Sequence, residues 1–229
     1  MQNEPVILGI ETSTDACSAA VLRGGQVLAS RLHAAGSEHA RELPLMVEEL
    51  LAETKDFPIE AVAVSEGPGS YTGLRIGASV AKGLAYGLNV PLMAVPTLQI
   101  MAAQVASQVR DGLLCPMIDA RRMEVYNAFY TPELKEVIPV AATIVDEHSF
   151  AEQLAAGKVY FFGNGAAKCK SVIRHENAVF LPSDDHSVCI DEIVPNAAWI
   201  RGGKIVDTAN REPFYLKAYE AKKATNIIK

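Results

Sequence analysis

The chain opens with an unbroken apolar run, "VILGIE" (Val6–Glu11), which predicts a buried strand that ends in a carboxylate. "TSTD" turns it into a second strand, "ACSAAVL" (Ala16–Leu22), and the glycines of "RGGQ" turn that into a third, "VLASRLH" (Val27–His33). The period then changes. Leu43, Met46, Val47, Leu50 and Leu51 recur at i, i+3, i+4, i+7 and i+8, the mark of an amphipathic helix. Pro44 lacks an N–H, so it occupies the first turn of that helix or kinks it. "AVAVSEG" reads as a strand, Thr72–Leu88 as a helix, "PLMAV" as a strand and Leu98–Val109 as a helix.

The same order returns in the second half. "LLCPMIDA" is a strand ending near Asp119, "MEVYNAFY" alternates as a second strand, and "VIPVAATIV" supplies a third. "SFAEQLAAG" is a short helix, "VYFFGNG" a strand, "AAKCKSVIR" a helix, "AVFLP" a strand and Glu192–Gly202 a helix. Strand-strand-strand-helix-strand-helix-strand-helix is thus written twice, without obvious identity between the copies. The pattern predicts an α/β protein of two lobes, each a mixed sheet flanked by helices. This is the actin-like (ASKHA) architecture of sugar kinases, Hsp70 and actin. The first lobe is 1–109, and 110–229 is the second, with a C-terminal tail packing back on the first.

Composition narrows the function. With 229 residues, 49% hydrophobic, the chain can bury a sizeable core. A net charge of −6 without clustered Lys or Arg argues against a protein that coats nucleic acid unaided. No apolar run approaches the roughly 20 residues of a spanning helix, and the N-terminus does not read as a secretion signal. Cys17, Cys115, Cys169 and Cys189 show no CxxC spacing and read as reduced thiols of a cytoplasmic protein.

Four stretches carry candidate chemistry. In "GIETSTDACS", Glu11, Thr12 and Ser13 could face a phosphate or a metal's water shell, or simply satisfy a polar turn. "GPGSYTG" (Gly67–Gly73) places Gly67 and Gly69 before a helix, as an anion nest or as a tight connection capped by Ser70 or Thr72. It is not a Walker loop, because no GK[ST] follows. Asp119, beside Arg121 and Arg122, mirrors Glu11 across the two halves, as a second cleft carboxylate or as half of an Arg–Asp pair in a charged turn. The helix after the GPG loop carries Gly73, Gly77, Gly83 and Gly87, at a cost of roughly 3–4 kcal/mol against alanine. Gly73 and Gly77 share a face beside Ala78 and Ala81, so something packs closely there: this chain's own sheet or a partner. The histidines form no i, i+4 pair and there is no GxSxG, so neither a zinc site nor a Ser-His-Asp hydrolase is supported.

"ILGIETSTDACSAAVL", "GPGSYTGLRIGASVAKGLAYGLNVPLMAVPTL", "DARRMEVY" and "EPFYLK" together resemble, in order and over nearly the whole chain, the motifs of the TsaB (YeaZ) family. The resemblance implies an actin-like fold and a non-catalytic paralogue of TsaD (Kae1/Qri7), the catalytic subunit of tRNA threonylcarbamoyladenosine synthesis. TsaD carries two metal-binding histidines whose positions fall here on Thr97 and Met101. The resemblance therefore implies no metal, no catalytic residue and no tightly bound cofactor, with at most a weak ATP or ADP contact in the complex. Glu11, Thr12, Ser13, Gly67, Gly69 and Asp119 are left as a degenerate nucleotide or anion site. Implied partners are TsaD as a heterodimer, the ATPase TsaE, a homodimer when alone, and tRNA through the complex, with no membrane. Family members pair through the first two helices, which assigns partner binding to Leu43, Met46, Val47, Leu50, Tyr71, Gly73, Leu74, Gly77, Ala78 and Ala81. An independent actin-fold ATPase or small-molecule kinase using Glu11 and Asp119 is the rival reading. A metallopeptidase is disfavoured by Thr97 and Met101.

Overall fold

The computed structural model describes residues 4–24, 26–33, 38–181 and 204–217. The first lobe runs β1 (Val6–Glu11), β2 (Cys17–Arg23), β3 (Gln26–His33), α1 (His39–Glu53), β4 (Ala61–Gly67), α2 (Tyr71–Leu88), β5 (Leu92–Pro96) and α3 (Thr97–Ala106). The second runs β6 (Leu113–Asp119), β7 (Glu124–Tyr130), β8 (Glu136–Ile144), α4 (Ala151–Ala156), β9 (Val159–Phe162), α5 (Ala166–Cys169) and β10 (Ala178–Phe180). A last strand, β11 (Lys204–Val206), follows.

The duplicated pattern folds into duplicated topology. The first sheet has the order β11-β5-β4-β1-β2-β3 and the second β10-β9-β6-β7-β8. In both, a hairpin meander pairs antiparallel on one side of the first strand, and the next strands add parallel on the other, with β11 closing the first sheet antiparallel on β5. Parallel strands need a crossover, which α1 and α2 supply in the first lobe. The element order predicted for the second lobe holds, except that its second helix is only Ala166–Cys169. The helix expected at 192–202 lies outside the described residues. The sequence reading gave no strand at Lys204–Val206, three residues that find their partner on the edge of β5 in the other half of the chain.

Both faces of the first sheet are covered, which is why "VILGIE" shows no polar alternation. Val6, Leu8 and Ile10 face α1 and α2, with Leu43, Leu50, Val62, Ala81 and Leu92. Ile7 faces the opposite way, into a core shared with α3 and the second sheet through Ala63, Leu98, Ile100, Leu114, Ile118 and Phe162. α3 is thus the layer through which the lobes adhere. A third core of Met117, Phe129, Leu154, Phe161 and Cys169 lies between the second sheet and its helices. Leu43 and Leu50 are fully buried, and each such side chain contributes about 1.5–3 kcal/mol. Pro44 lies in the second turn of α1 on its exposed side.

Candidate functional site

Two features of the first lobe meet at the start of α2: the turn after β1 and the GPG loop after β4. Glu11 closes β1 wholly buried. One carboxylate oxygen, Oε1, accepts from the Ser13 N–H, while Oε2 has no hydrogen-bond partner. Burial pushes its pKa up from 4.5 to about 7, with Ser13, Ser65 and Thr12 pulling partway back. The next residues clasp the surrounding elements. Thr12 Oγ1 donates to the Gly73 carbonyl at 2.8 Å, and Ser70 N–H donates to the Ser13 carbonyl at 2.6 Å. The Thr14 carbonyl lies 2.9 Å from Nε2 of buried His39, at the start of α1.

Three glycines, Gly69, Gly73 and Gly77, leave room for this clasp. A Cβ on Gly69 would lie 2.4 Å from the Ser13 carbonyl oxygen, one on Gly73 2.0 Å from the Thr12 carbonyl oxygen, and one on Gly77 2.2 Å from Thr12 Oγ1. Gly67 has φ +112°, a conformation that favours glycine, and donates its N–H to Thr97 Oγ1 at 3.1 Å. Gly73 N–H goes to the capping Ser70 Oγ and Leu74 N–H to the Ser70 carbonyl. The N–H groups of Gly67, Ser70 and Gly73 are thus engaged within the chain, as in a tight connection capped by Ser70.

Asp119 does not join Glu11 in one carboxylate pair. It ends β6 in the second sheet, half-exposed, and binds Lys168 Nζ at 2.5 Å and the Arg121 N–H at 2.7 Å. Burial is the largest single influence and opposes its ionisation, but the Lys168 bond, the Arg121 N–H and the charges of both side chains together outweigh it and hold its pKa below the usual carboxylate range. Asp119 is therefore half of an ion pair, but its partner is Lys168 and not the side chain of Arg121 or Arg122 that the sequence offers.

The residues assigned to a partner from the sequence are mostly interior. Leu43, Met46, Val47, Leu50, Gly73, Leu74, Gly77 and Ala81 are all buried within this chain. The reason is geometric. In α2, Gly73, Gly77, Ala81 and Ala85 form one i, i+4 row, pressed on Thr12 and the sheet. The row two residues behind it lies about 200° round the helix, on the opposite side. That row is Tyr71, Arg75, Ser79, Gly83 and Gly87, and all but half-buried Tyr71 are exposed. Among the described residues, a Cβ on Gly83 or Gly87 would meet nothing within 4 Å. Beside them Tyr86 is 86% exposed, and Leu45 of α1 is 49% exposed. Ala78 is half-buried and lines a shallow groove with Lys82, Leu92, Arg211 and Pro213.

That groove belongs to a feature the residue assignments missed. After β11, residues 207–217 cross the start of α2. Arg211 pairs with Glu66, and the Phe214 N–H donates to the Glu66 carbonyl at 2.6 Å. Tyr215 packs on Tyr71 with ring centroids 4.9 Å apart and the planes tilted by 38°, and Lys217 pairs with Glu124 of β7. The signal was a pair of aromatics in an otherwise polar tail, "EPFYLK".

Thr97 and Met101 are core residues of α3. Thr97 is fully buried with its hydroxyl accepting from Gly67, and Met101 is 3% exposed with its methyl against Gly163. Among the described residues, no three His, Cys, Asp or Glu side chains are grouped to hold a metal ion. No described helix is long and apolar enough to cross a membrane.

Comparison with known proteins agrees with this architecture. Residues 32–191 match the family described as "TsaD: tRNA N6-adenosine threonylcarbamoyltransferase". The chain is 32% identical over 225 residues to "tRNA threonylcarbamoyladenosine biosynthesis protein TsaB" of Escherichia coli, covering 92% of this chain and 94% of that one. It is 37% identical over 138 residues to the protein of the same name in Bacillus subtilis, a match spanning 58% of this chain and 59% of that protein. The solved structure "YeaZ from Pseudomonas aeruginosa" superimposes with a TM-score of 0.76 at 29% identity, over 93% of this chain and all of that one. The chain belongs to the TsaB (YeaZ) family, has its actin-like fold, and is related to the TsaD transferases.

Proposed function

We propose that this member of the TsaB family is a non-catalytic scaffold subunit in the N6-threonylcarbamoylation of adenosine 37 in ANN-decoding tRNAs. It binds and stabilises the catalytic TsaD subunit and helps recruit the ATPase TsaE in the cytoplasm. The observation that carries the reading is the state of Thr97 and Met101. Where the catalytic paralogue is expected to hold metal-binding histidines, this chain has a buried hydroxyl bonded to Gly67 and a thioether packed in the core. Neither is an imidazole ligand, so the fold is kept and its metal chemistry is not. Supporting it, Asp119 is engaged by Lys168, and Glu11 is wholly buried with one oxygen bonded to the Ser13 N–H, so neither carboxylate of the rival kinase reading is presented as an open, unpaired cleft acid.

The partner surface in this reading is the outward row of α2 with the exposed side of α1. Exposed Gly83 and Gly87 each cost about 1 kcal/mol of helix propensity, and a Cβ on either would make no contact among the described residues. Such a row is the ridge that fits a groove when helices pack across an interface, and glycine lets the backbones approach closely. The same surface makes a homodimer when TsaD is absent. ATP or ADP contacts the chain weakly, and only in the complex. The test is tRNA modification reconstituted with ATP, threonine, bicarbonate and an enzyme that supplies threonylcarbamoyl-adenylate, read by nucleoside mass spectrometry. Modified adenosine is expected only when this chain and TsaD are both present. Product formed without TsaD would overturn the scaffold reading.

A further inference from the structure

We infer that Arg75 is the charged contact of this partner surface, and that the C-terminal segment positions it: Tyr215 packs against the Tyr71 ring, and Tyr71 aims the Arg75 guanidinium at a carboxylate of the partner. The inference rests on the scaffold reading for the identity of that partner. Arg75 is exposed on the outward row of α2, one turn from Tyr71 and one from Ser79. Its guanidinium lies 5.3 Å from the centroid of the Tyr71 ring, and its Nη1 donates to the Tyr71 hydroxyl at 2.8 Å. Among the described residues it forms no ion pair with a carboxylate. One side of the planar fork is therefore held by an aromatic ring while donors remain for a two-point bond to a carboxylate.

The hold on Tyr71 comes from far along the chain. Tyr215 packs on the ring at 4.9 Å, on a segment fixed by β11 on β5, by the Phe214–Glu66 backbone bond, and by the Arg211–Glu66 and Lys217–Glu124 pairs. A free arginine loses much rotamer freedom when it pairs. One already ordered by stacking loses less, so the segment raises affinity without touching the partner. This gives a role to a tail that contributes little to the three cores.

The experiment is calorimetric titration of the full chain with TsaD from the same organism. Arg75→Ala and Tyr215→Ala are each expected to weaken binding about tenfold, the scale of one anchoring contact. Tyr215→Phe, which keeps the ring, should bind as the original chain does. The double variant should bind no more weakly than Arg75→Ala alone, because both changes remove one contact. Added sodium chloride should weaken the original chain more steeply than Arg75→Ala. If Tyr215→Ala proves unstable, Tyr215→Leu fills the space without a ring and is expected to show the same loss. Undiminished binding by Arg75→Ala, losses that multiply in the double variant, or a Tyr215→Phe as weak as Tyr215→Ala would each overturn the inference while leaving the scaffold reading intact. Absence of binding by the original chain would overturn both.

Discussion

Gly77 of α2 and Thr12 of the β1–β2 turn are in backbone-limited contact: a single added Cβ would lie 2.2 Å from Thr12 Oγ1. That hydroxyl cannot swing away without giving up its bond to the Gly73 carbonyl. Six residues on, Gly83 has open space where its Cβ would be.

One substitution in one helix should therefore have opposite effects at these two positions. Gly→Ala gains up to about 1 kcal/mol of helix propensity at either. At Gly77 the clash outweighs it, and overpacking typically costs about 1–3 kcal/mol. Denaturant unfolding should show Gly77→Ala less stable than the original chain and Gly83→Ala as stable or more. Equal stabilisation by both would mean that the helix does not rest on Thr12.

Binding should invert that ranking. Gly83→Leu keeps the fold but places an isobutyl group on the outward row, and about tenfold or greater loss of TsaD affinity is expected from the clash. Calorimetry beside a melting curve makes the comparison. Unchanged affinity with an unchanged melting temperature would remove Gly83 from the interface.

How much of this was legible in the sequence differs by level. Strand and helix order came directly from hydrophobic period, because each lobe buries both faces of its sheet and patterns its helices. The face of α2 did not. It carries two i, i+4 rows of small residues, 73-77-81-85 and 79-83-87, and the helical period alone cannot say which one the sheet covers. Only the position of the Thr12 turn decides it. The pairing of Tyr215 with Tyr71 was equally hidden, since it depends on β11 reaching the edge of β5 from the other half of the chain.

Glu11 should make stability depend on pH in an unusual direction. Its carboxyl has a pKa near 7 in the folded chain, raised by burial from 4.5, so between those values the folded state holds the proton more tightly than the unfolded state. Stability from this group is complete below about pH 4.5, falls as pH rises, and is fully lost above about 7, a difference on the order of 3 kcal/mol. Glu11→Gln keeps an acceptor for the Ser13 N–H and removes the charge. Subtracting its stability from that of the original chain isolates the effect from other titrating groups. The variant should gain relative stability from pH 5 to pH 8. A difference that stays flat over that range would show that Glu11 is already charged in the folded protein at pH 5.

The last expectation concerns metal. Native protein should carry no stoichiometric iron or zinc, and returning histidine to both positions should not create a site. At position 97 an imidazole would displace the hydroxyl that accepts from the Gly67 N–H, and a buried donor left unpaired costs about 1–3 kcal/mol. At position 101 it would bring a polar ring into a core that holds Leu98, Ile100, Ala102 and Phe162. Two imidazoles would still lack further ligands, because no grouped His, Cys, Asp or Glu side chains exist among the described residues to complete a shell. The Thr97→His/Met101→His variant should therefore melt several degrees lower than the original chain, at about 2–4 °C per kcal/mol for a chain of this size, and elemental analysis should find it as empty. A variant that melts no lower and holds one tightly bound metal per chain would mean that the site's remaining ligands are present and that the scaffold lost only its histidines.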